Sequence, residues 1–300
     1  MKKIIIFLAI LSIAVLLYGI SQTREINKTF EVTDNTELNL DNINGPINIA
    51  GWDKDYIDVT IIKKTTNGDE ELEKVEVNFT HEKDLTIETK FLEKNAKVSV
   101  SYDLSVPRFI MLKNIHTSNG SISLQDVGVV DQVSTSNGSI NLEKCEGKIT
   151  ADTSNGTIKA NEINGSVFAY TSNGRIRLEN VTGLVDAKTS NGSVKLFNVA
   201  AIENAKTSNG SIKAHLASLP TDTNLRTSNG SITVFLSENL NADIKASTSN
   251  GKVKLHDYQI LASDISKSYV SGSIGNGGNL LRLSTSNASI NIYNERDIQF

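Results

Sequence analysis

The sequence predicts an all-β chain, a right-handed parallel β-solenoid of about ten coils with roughly 18 residues per coil and a β-rich N-terminal cap. Three observations predict it. The element Thr-Ser-Asn-Gly starts at Thr117, Thr135, Thr153, Thr171, Thr189, Thr207, Thr227 and Thr248, with a variant ending in Ala288 that starts at Thr285, and the first five steps are each 18 residues. Aliphatic residues fall into columns at the same spacing. The composition, with 3 prolines and 6% aromatic residues, describes short strands joined by tight turns rather than helices.

The columns define two strands per coil. One holds Ile122, Ile140, Ile158, Ile176, Val194, Ile212, Ile232, Val253 and Ile290, and two residues later come Leu124, Leu142, Ala160, Leu178, Leu196, Ala214, Val234, Leu255 and Ile292. Polar residues separate them, and period-two alternation marks strands with one buried face. A third column of Val127, Cys145, Ile163, Val181 and Val199 reads Cys145 as a small buried hydrophobe. Ile149, Val167 and Val185, with Val133, Ala151, Ala169, Ala187 and Ala205, supply the second wall, whose alanines imply close approach. No coil could fold alone, so stacking at a rise of about 4.8 Å must supply the stability.

Asn-Gly is read as the turn, with glycine expected at positive φ. The column Asn119, Asn137, Asn155, Asn173, Asn191, Asn209, Asn229 and Asn250 is expected to form an amide ladder along the stack, with a threonine hydroxyl ladder beside it. The 37-residue gap between Thr248 and Thr285 fits one degenerate copy at residues 269–274. Crossovers between parallel strands are right-handed in nearly all cases. The left-handed hexapeptide alternative needs small or aliphatic residues where Asn164, Tyr170, Thr182 and Lys188 stand.

Residues 1–21 read as a signal peptide or N-terminal membrane anchor: Lys2 and Lys3 precede a charge-free apolar run from Ile4 to Ile20. The chain beyond it is expected outside the cytoplasm, in the cell envelope, secreted or anchored. Residues 22–115 alternate strongly and are assigned to the first coils and cap, Asn44-Gly-Pro-Ile-Asn-Ile49 being a divergent copy, and residues 116–300 to the repeat array. Cys145 is the sole cysteine, so packing and not disulfides must hold an exported chain of this length.

Little in the sequence points to chemistry. His81, His116, His215 and His256 lack metal-ligand spacing, Gly275-Asn-Gly-Gly278 is a lone glycine cluster, and Glu143, Glu162 and Glu179 occupy turn positions. The recurrent serines have no histidine at a recurring offset, so no catalytic residue, cofactor or metal is assigned. A formal net charge of -4 lacks the footprint of a nucleic-acid binder. The candidate binding feature is a basic stripe of Lys159, Arg177, Lys195, Lys213 and Lys254, with Arg175 and Lys252 in the neighbouring outward column. Such a face would engage anionic wall polymers, lipid headgroups or acidic glycans through many weak contacts; the plainer reading is a lysine-rich face that keeps a sheet soluble. Phe168 and Tyr170 are expected to point outward on the opposite wall.

The segments Gly45-Pro-Ile-Asn-Ile-Ala-Gly-Trp-Asp53 and Val98-Ser-Val-Ser-Tyr-Asp-Leu-Ser-Val-Pro107, followed by the Asn-Gly-Ser-Ile repeats, resemble a bacterial family of β-strand-repeat envelope proteins labelled as candidate adhesins. The resemblance spans roughly residues 30–295. It implies an extracytoplasmic β-solenoid, with some relatives tied to adhesion or envelope stress, and transfers no catalytic residue. The reading is therefore a non-enzymatic envelope protein that binds an envelope polymer, glycan or protein, or senses at the surface, through its long faces. A self-associating scaffold is the second hypothesis and a glycan-active β-helix enzyme the third.

Overall fold

The computed structural model describes residues 21–298. The apolar N-terminal run lies outside the described residues, and among these no helix is long and apolar enough to cross a membrane. One continuous sheet coils into two facing walls around a single aliphatic core. Each coil contributes a stretch of strand to each wall, and the predicted registers hold: Ile140 pairs with Ile158 and Ile158 with Ile176 on the first, the Ile wall, while Ala151 pairs with Ala169 and Ala169 with Ala187 on the second, the Ala wall. Val127, Cys145, Ile163, Val181 and Val199 are buried between them.

Spatial order departs from chain order at both ends. On the Ile wall the parallel strands run 99–107, 47–52, 122–125, 140–143, then onward coil by coil to 232–236, 290–294 and 253–256, which makes eleven coils among the described residues. The Ala wall repeats this: strand Glu37–Asn44 lies between Leu85–Phe91 and Met111–Asn119, and strand Leu280–Thr285 lies between Thr223–Arg226 and Ala242–Thr248. The first and last coils in sequence are thus each inserted second from an end of the stack. Antiparallel strands close the ends: Gln22–Glu31 and Tyr56–Thr65 on one wall and Val75–His81 on the other at the N-terminal end, the hairpin Leu261–Ile265 and Tyr269–Ile274 at the far end. Residues 269–274 are therefore not a degenerate coil. They run antiparallel to Ala242–Thr248, and the 37-residue gap holds an end cap instead.

The Asn-Gly corner works differently from the expectation. The glycines of the Thr-Ser-Asn-Gly copies are not at positive φ, in contrast to Gly45 of the divergent copy at φ 132°; the left-handed residues at the corner after the Ile-wall strand are Asp126, Lys144, Glu162, Asn180, Asn198 and Asp257. The corner glycines are needed because coils approach too closely for a side chain: a Cβ on Gly138, Gly156, Gly174 or Gly192 would lie 1.6 to 1.9 Å from the carbonyl oxygen of the glycine one coil earlier. Ala288 is the exception, and the bond from Ile232 N to Ser289 O in its coil is 3.2 Å where the equivalent from Ile212 N is 3.0 Å. Nor do the threonine hydroxyls ladder with each other. Thr135, Thr153, Thr171 and Thr189 donate to the carbonyls of Gly120, Gly138, Gly156 and Gly174 at 2.9 to 3.0 Å. Threonine and glycine are two halves of one inter-coil contact.

The asparagine ladder is continuous. Nδ2 donates to the Oδ1 of the preceding coil from Asn137 to Asn119, and so on through Asn155, Asn173, Asn191, Asn209 and Asn229 at 2.8 to 2.9 Å. Asn287 then stands between Asn229 and Asn250, as coil insertion requires. A second, shorter ladder at the opposite corner links Asn198, Asn180 and Asn161.

Candidate binding surface

The stripe residues lie on the outer face of the Ile wall, but in two groups. Lys159, Arg177, Lys195 and Lys213 occupy successive coils in register. Thr233 and then Asn291 follow, and Lys254 comes only after them, because the inserted coil separates it from the rest. Arg175 and Lys252 sit at the Asn-Gly corners, where the Arg175 carbonyl accepts from Ile158 N and Lys252 N donates to Ser289 Oγ at 3.3 Å.

The first group is partly neutralised. Arg177 pairs with Glu179 at 2.6 Å, and Asn161 donates to Glu143 Oε1 at 2.9 Å. These residues, with Asn141 and Lys159, line a shallow groove of about 400 Å³ that crosses several coils. Burial, aided by the neighbouring Lys195, pulls the Lys213 pKa down, and its Nζ lies 5.3 Å from the Phe235 ring.

One column over runs a ladder of rings that the sequence reading missed: Phe197, His215, Phe235, Tyr293 and His256, in that spatial order. His256 stacks on Tyr293 at 4.1 Å and 7°, and Tyr293 on Phe235 at 5.4 Å and 19°. Rings stacked face to face spend their π surfaces on one another, so the ladder stabilises the stack and leaves edges, not flat platforms, to solvent. Each ring sits three residues after a core aliphatic, a signal present in the sequence.

The Ala wall carries a second cationic run, assembled by the inserted coil. Lys206 and Arg226 are neighbours of the Asn204–Asn224 step, Asn224 pairs with Arg282, and Arg282 pairs with Lys245. None of these four has an ion pair among the described contacts, whereas Lys188 is bound to Asp186 at 2.6 Å. Asp222 and Asp243 flank the run, accepting from Leu280 N and Ser273 Oγ. Phe168 and Tyr170 face outward here, each under a lysine, Lys148 and Lys188.

Catalytic geometry is sparse. Stacking brings His116 Nδ1 to 2.9 Å from Ser134 Oγ, with Asp41 one coil beyond His116. Burial raises the Asp41 pKa, opposed by the nearby His116. The trio lies on a sheet whose strands pair on both sides, so its backbone N–H groups are committed to the ladder rather than aimed at a developing oxyanion. Cys145 is buried and its thiol is pushed up to about 12, far from a reactive thiolate. Among the described residues no three His, Cys, Asp or Glu side chains converge on a metal-sized site.

Seen with this geometry, the chain has a recognisable relative. Residues 171–293 match the family described as Toastrack DUF4097. The resemblance read from the sequence is borne out over that stretch, which starts at the Thr171 corner and includes the inserted coil. Among solved structures, a candidate adhesin from Parabacteroides distasonis aligns over 90% of this chain and 97% of its own at 12% identity and TM-score 0.42. A candidate adhesin from Bacteroides fragilis aligns over 90% and 97% at 13% identity and TM-score 0.32. A candidate lipid binding protein from Parabacteroides distasonis aligns over 91% and 97% at 16% identity and TM-score 0.35. Comparison with curated proteins found no match.

Proposed function

We propose that the protein is a non-enzymatic module of the cell envelope that holds linear anionic polymers along the outer faces of its two walls. The observation that carries this reading is the recurrence of one cation per coil: Lys159, Arg177, Lys195 and Lys213 on one wall, and the run from Lys206 and Arg226 through Arg282 to Lys245 on the other. At a rise of about 4.8 Å per coil, each run presents charge at the interval of a repeating polymer rather than at a point. Individual surface contacts of this kind are weak and screened by salt, so affinity comes from their number. Retention of envelope material on immobilised full-length chain is expected to fall with salt. It is expected to fall again when either run is changed to serine; capture indifferent to both would reject the reading.

A second reading is self-association, favoured by the end-cap strand Leu261–Ile265. All five residues are exposed, Leu261 at 79% and Ile265 at 63%, and the strand pairs on one side only. An unpaired apolar edge is a template for another chain. Sedimentation showing assemblies that vanish in Leu261→Lys/Ile265→Lys would support it, and a strictly monomeric protein at high concentration would not.

A further inference from the structure

We infer that the depression at the C-terminal end of the Ile wall, bounded by Lys252, Lys254 and Lys267, is a binding site for a phosphate-type oxyanion. The three lysines come from two pieces of chain. Lys252 ends the Asn250-Gly251 corner and Lys254 follows it on the outermost Ile-wall strand, Val253–His256, while Lys267 belongs to the turn of the end-cap hairpin. That turn is fastened across the end of the stack: its carbonyls at Lys267 and Ser268 accept from Val253 N at 3.0 Å and from Thr248 N at 2.9 Å. The result is a concavity of about 540 Å³ lined by Lys252, Lys254 and Lys267 with Ser249, Ser268 and Ser289, and by no acidic residue.

Several features point to an anion. Three like charges around one polar hollow repel each other unless a counter-charge enters. None of the three has an ion pair among the described contacts, in contrast to the mid-stack groove, where Arg177 pairs with Glu179 at 2.6 Å. The last amide of the ladder, Asn250, gives one Nδ2 N–H to Asn287 Oδ1, so the donors left to the hollow are its other N–H, the ammonium groups and the serine hydroxyls. Ammonium groups bind phosphate as mobile point charges, each with three donors, and a guanidinium can take the same role. The corner beneath Lys252 carries Ser289, whose Oγ accepts from Lys252 N at 3.3 Å.

The inference shares the cationic character of the proposed function but not its residues: three coil steps separate Lys254 from Lys213. Equilibrium dialysis of the full-length chain against labelled inorganic phosphate, at constant ionic strength in chloride, tests it. Saturable binding of one phosphate per chain is expected, weakened at least about tenfold by Lys267→Ser, restored by Lys267→Arg, and unchanged by Lys159→Ser/Lys195→Ser. A poly(glycerol phosphate) competitor that displaces label better than free phosphate would assign the site to a polymer, and one that does not would assign it to the free ion. Both results keep the site. Absence of saturable binding, equal competition by acetate, or an undiminished Lys267→Ser protein overturns it. Envelope capture lost in the Lys159/Lys195 variant while phosphate binding persists would separate the two readings.

Discussion

The carbonyl oxygen of Gly156 accepts a hydrogen bond from Thr171 Oγ1 at 3.0 Å and lies 1.6 Å from the point a Cβ on Gly174 would occupy. The same oxygen therefore fixes both the threonine and the glycine of the next repeat. Gly174→Val is expected to destabilise the protein by about 3 kcal/mol or more, because the obstruction is backbone and cannot swing away. Ser211→Ala, on the exposed side of the corner, is expected to change stability by less than about 0.5 kcal/mol. Urea unfolding of the two variants makes the comparison, and equal midpoints would remove the close-approach explanation.

The opposite corner holds residues in the left-handed region without the glycine that would ease it. Lys144 has φ 52° and is exposed. Lys144→Gly is expected to raise stability by up to about 1 kcal/mol, the relieved left-handed cost outweighing the extra freedom of the unfolded chain. Lys144→Ala should show no such gain. Asn180→Gly should gain less than Lys144→Gly, since it also breaks the amide contacts to Asn161 and Asn198. Thermal melts of the three variants suffice.

Position along the asparagine ladder should matter. Asn173 takes part in two amide bonds, to Asn155 and from Asn191, while Asn250 makes one, to Asn287. At about 0.5–1.5 kcal/mol net per bond, Asn173→Ala is expected to cost roughly twice Asn250→Ala. Chemical denaturation that ranks them in the reverse order would show that the exposed amides contribute nothing beyond the backbone ladder.

Burial holds the Cys145 thiol up to about 12, above the unfolded value of 9.0. The folded state thus keeps a proton that the unfolded chain releases. The associated stability is fully present below pH 9 and is lost as pH rises toward 12, by about 1 kcal/mol at pH 10. Cys145→Val, matching the Val181 position, should flatten that part of the stability profile. The wild-type thiol should resist alkylation at pH 8 until the protein is unfolded.

Sequence periodicity revealed what is local and repeated. Ile140, Ile158 and Ile176 are in register because each coil has the same length, and the asparagine ladder follows from the same count. Spacing alone does not say which copy lies beside which. Nothing in the 37-residue gap distinguishes a tenth coil from a hairpin, and the proximity of Arg282 to Lys245 exists only once the last coil has moved inward. The backbone at Asn-Gly was misread for a different reason: that dipeptide suits a left-handed turn and a crowded corner equally well, and here crowding between stacked carbonyls decides. Lys267 was invisible as a binding residue because it lies in a cap outside the repeat.

The placement of the two outermost sequence copies inside the stack has a consequence for how the molecule comes apart and how it is made. Pulling on residue 298 would not peel a terminal layer. It would have to shear the segment 290–294 from strands on both flanks, Ile232–Leu236 and Val253–His256, at once. During synthesis the reverse holds: the slot stays vacant until residues 280–294 emerge, so the stack closes only when that segment enters between its two neighbours as a keystone.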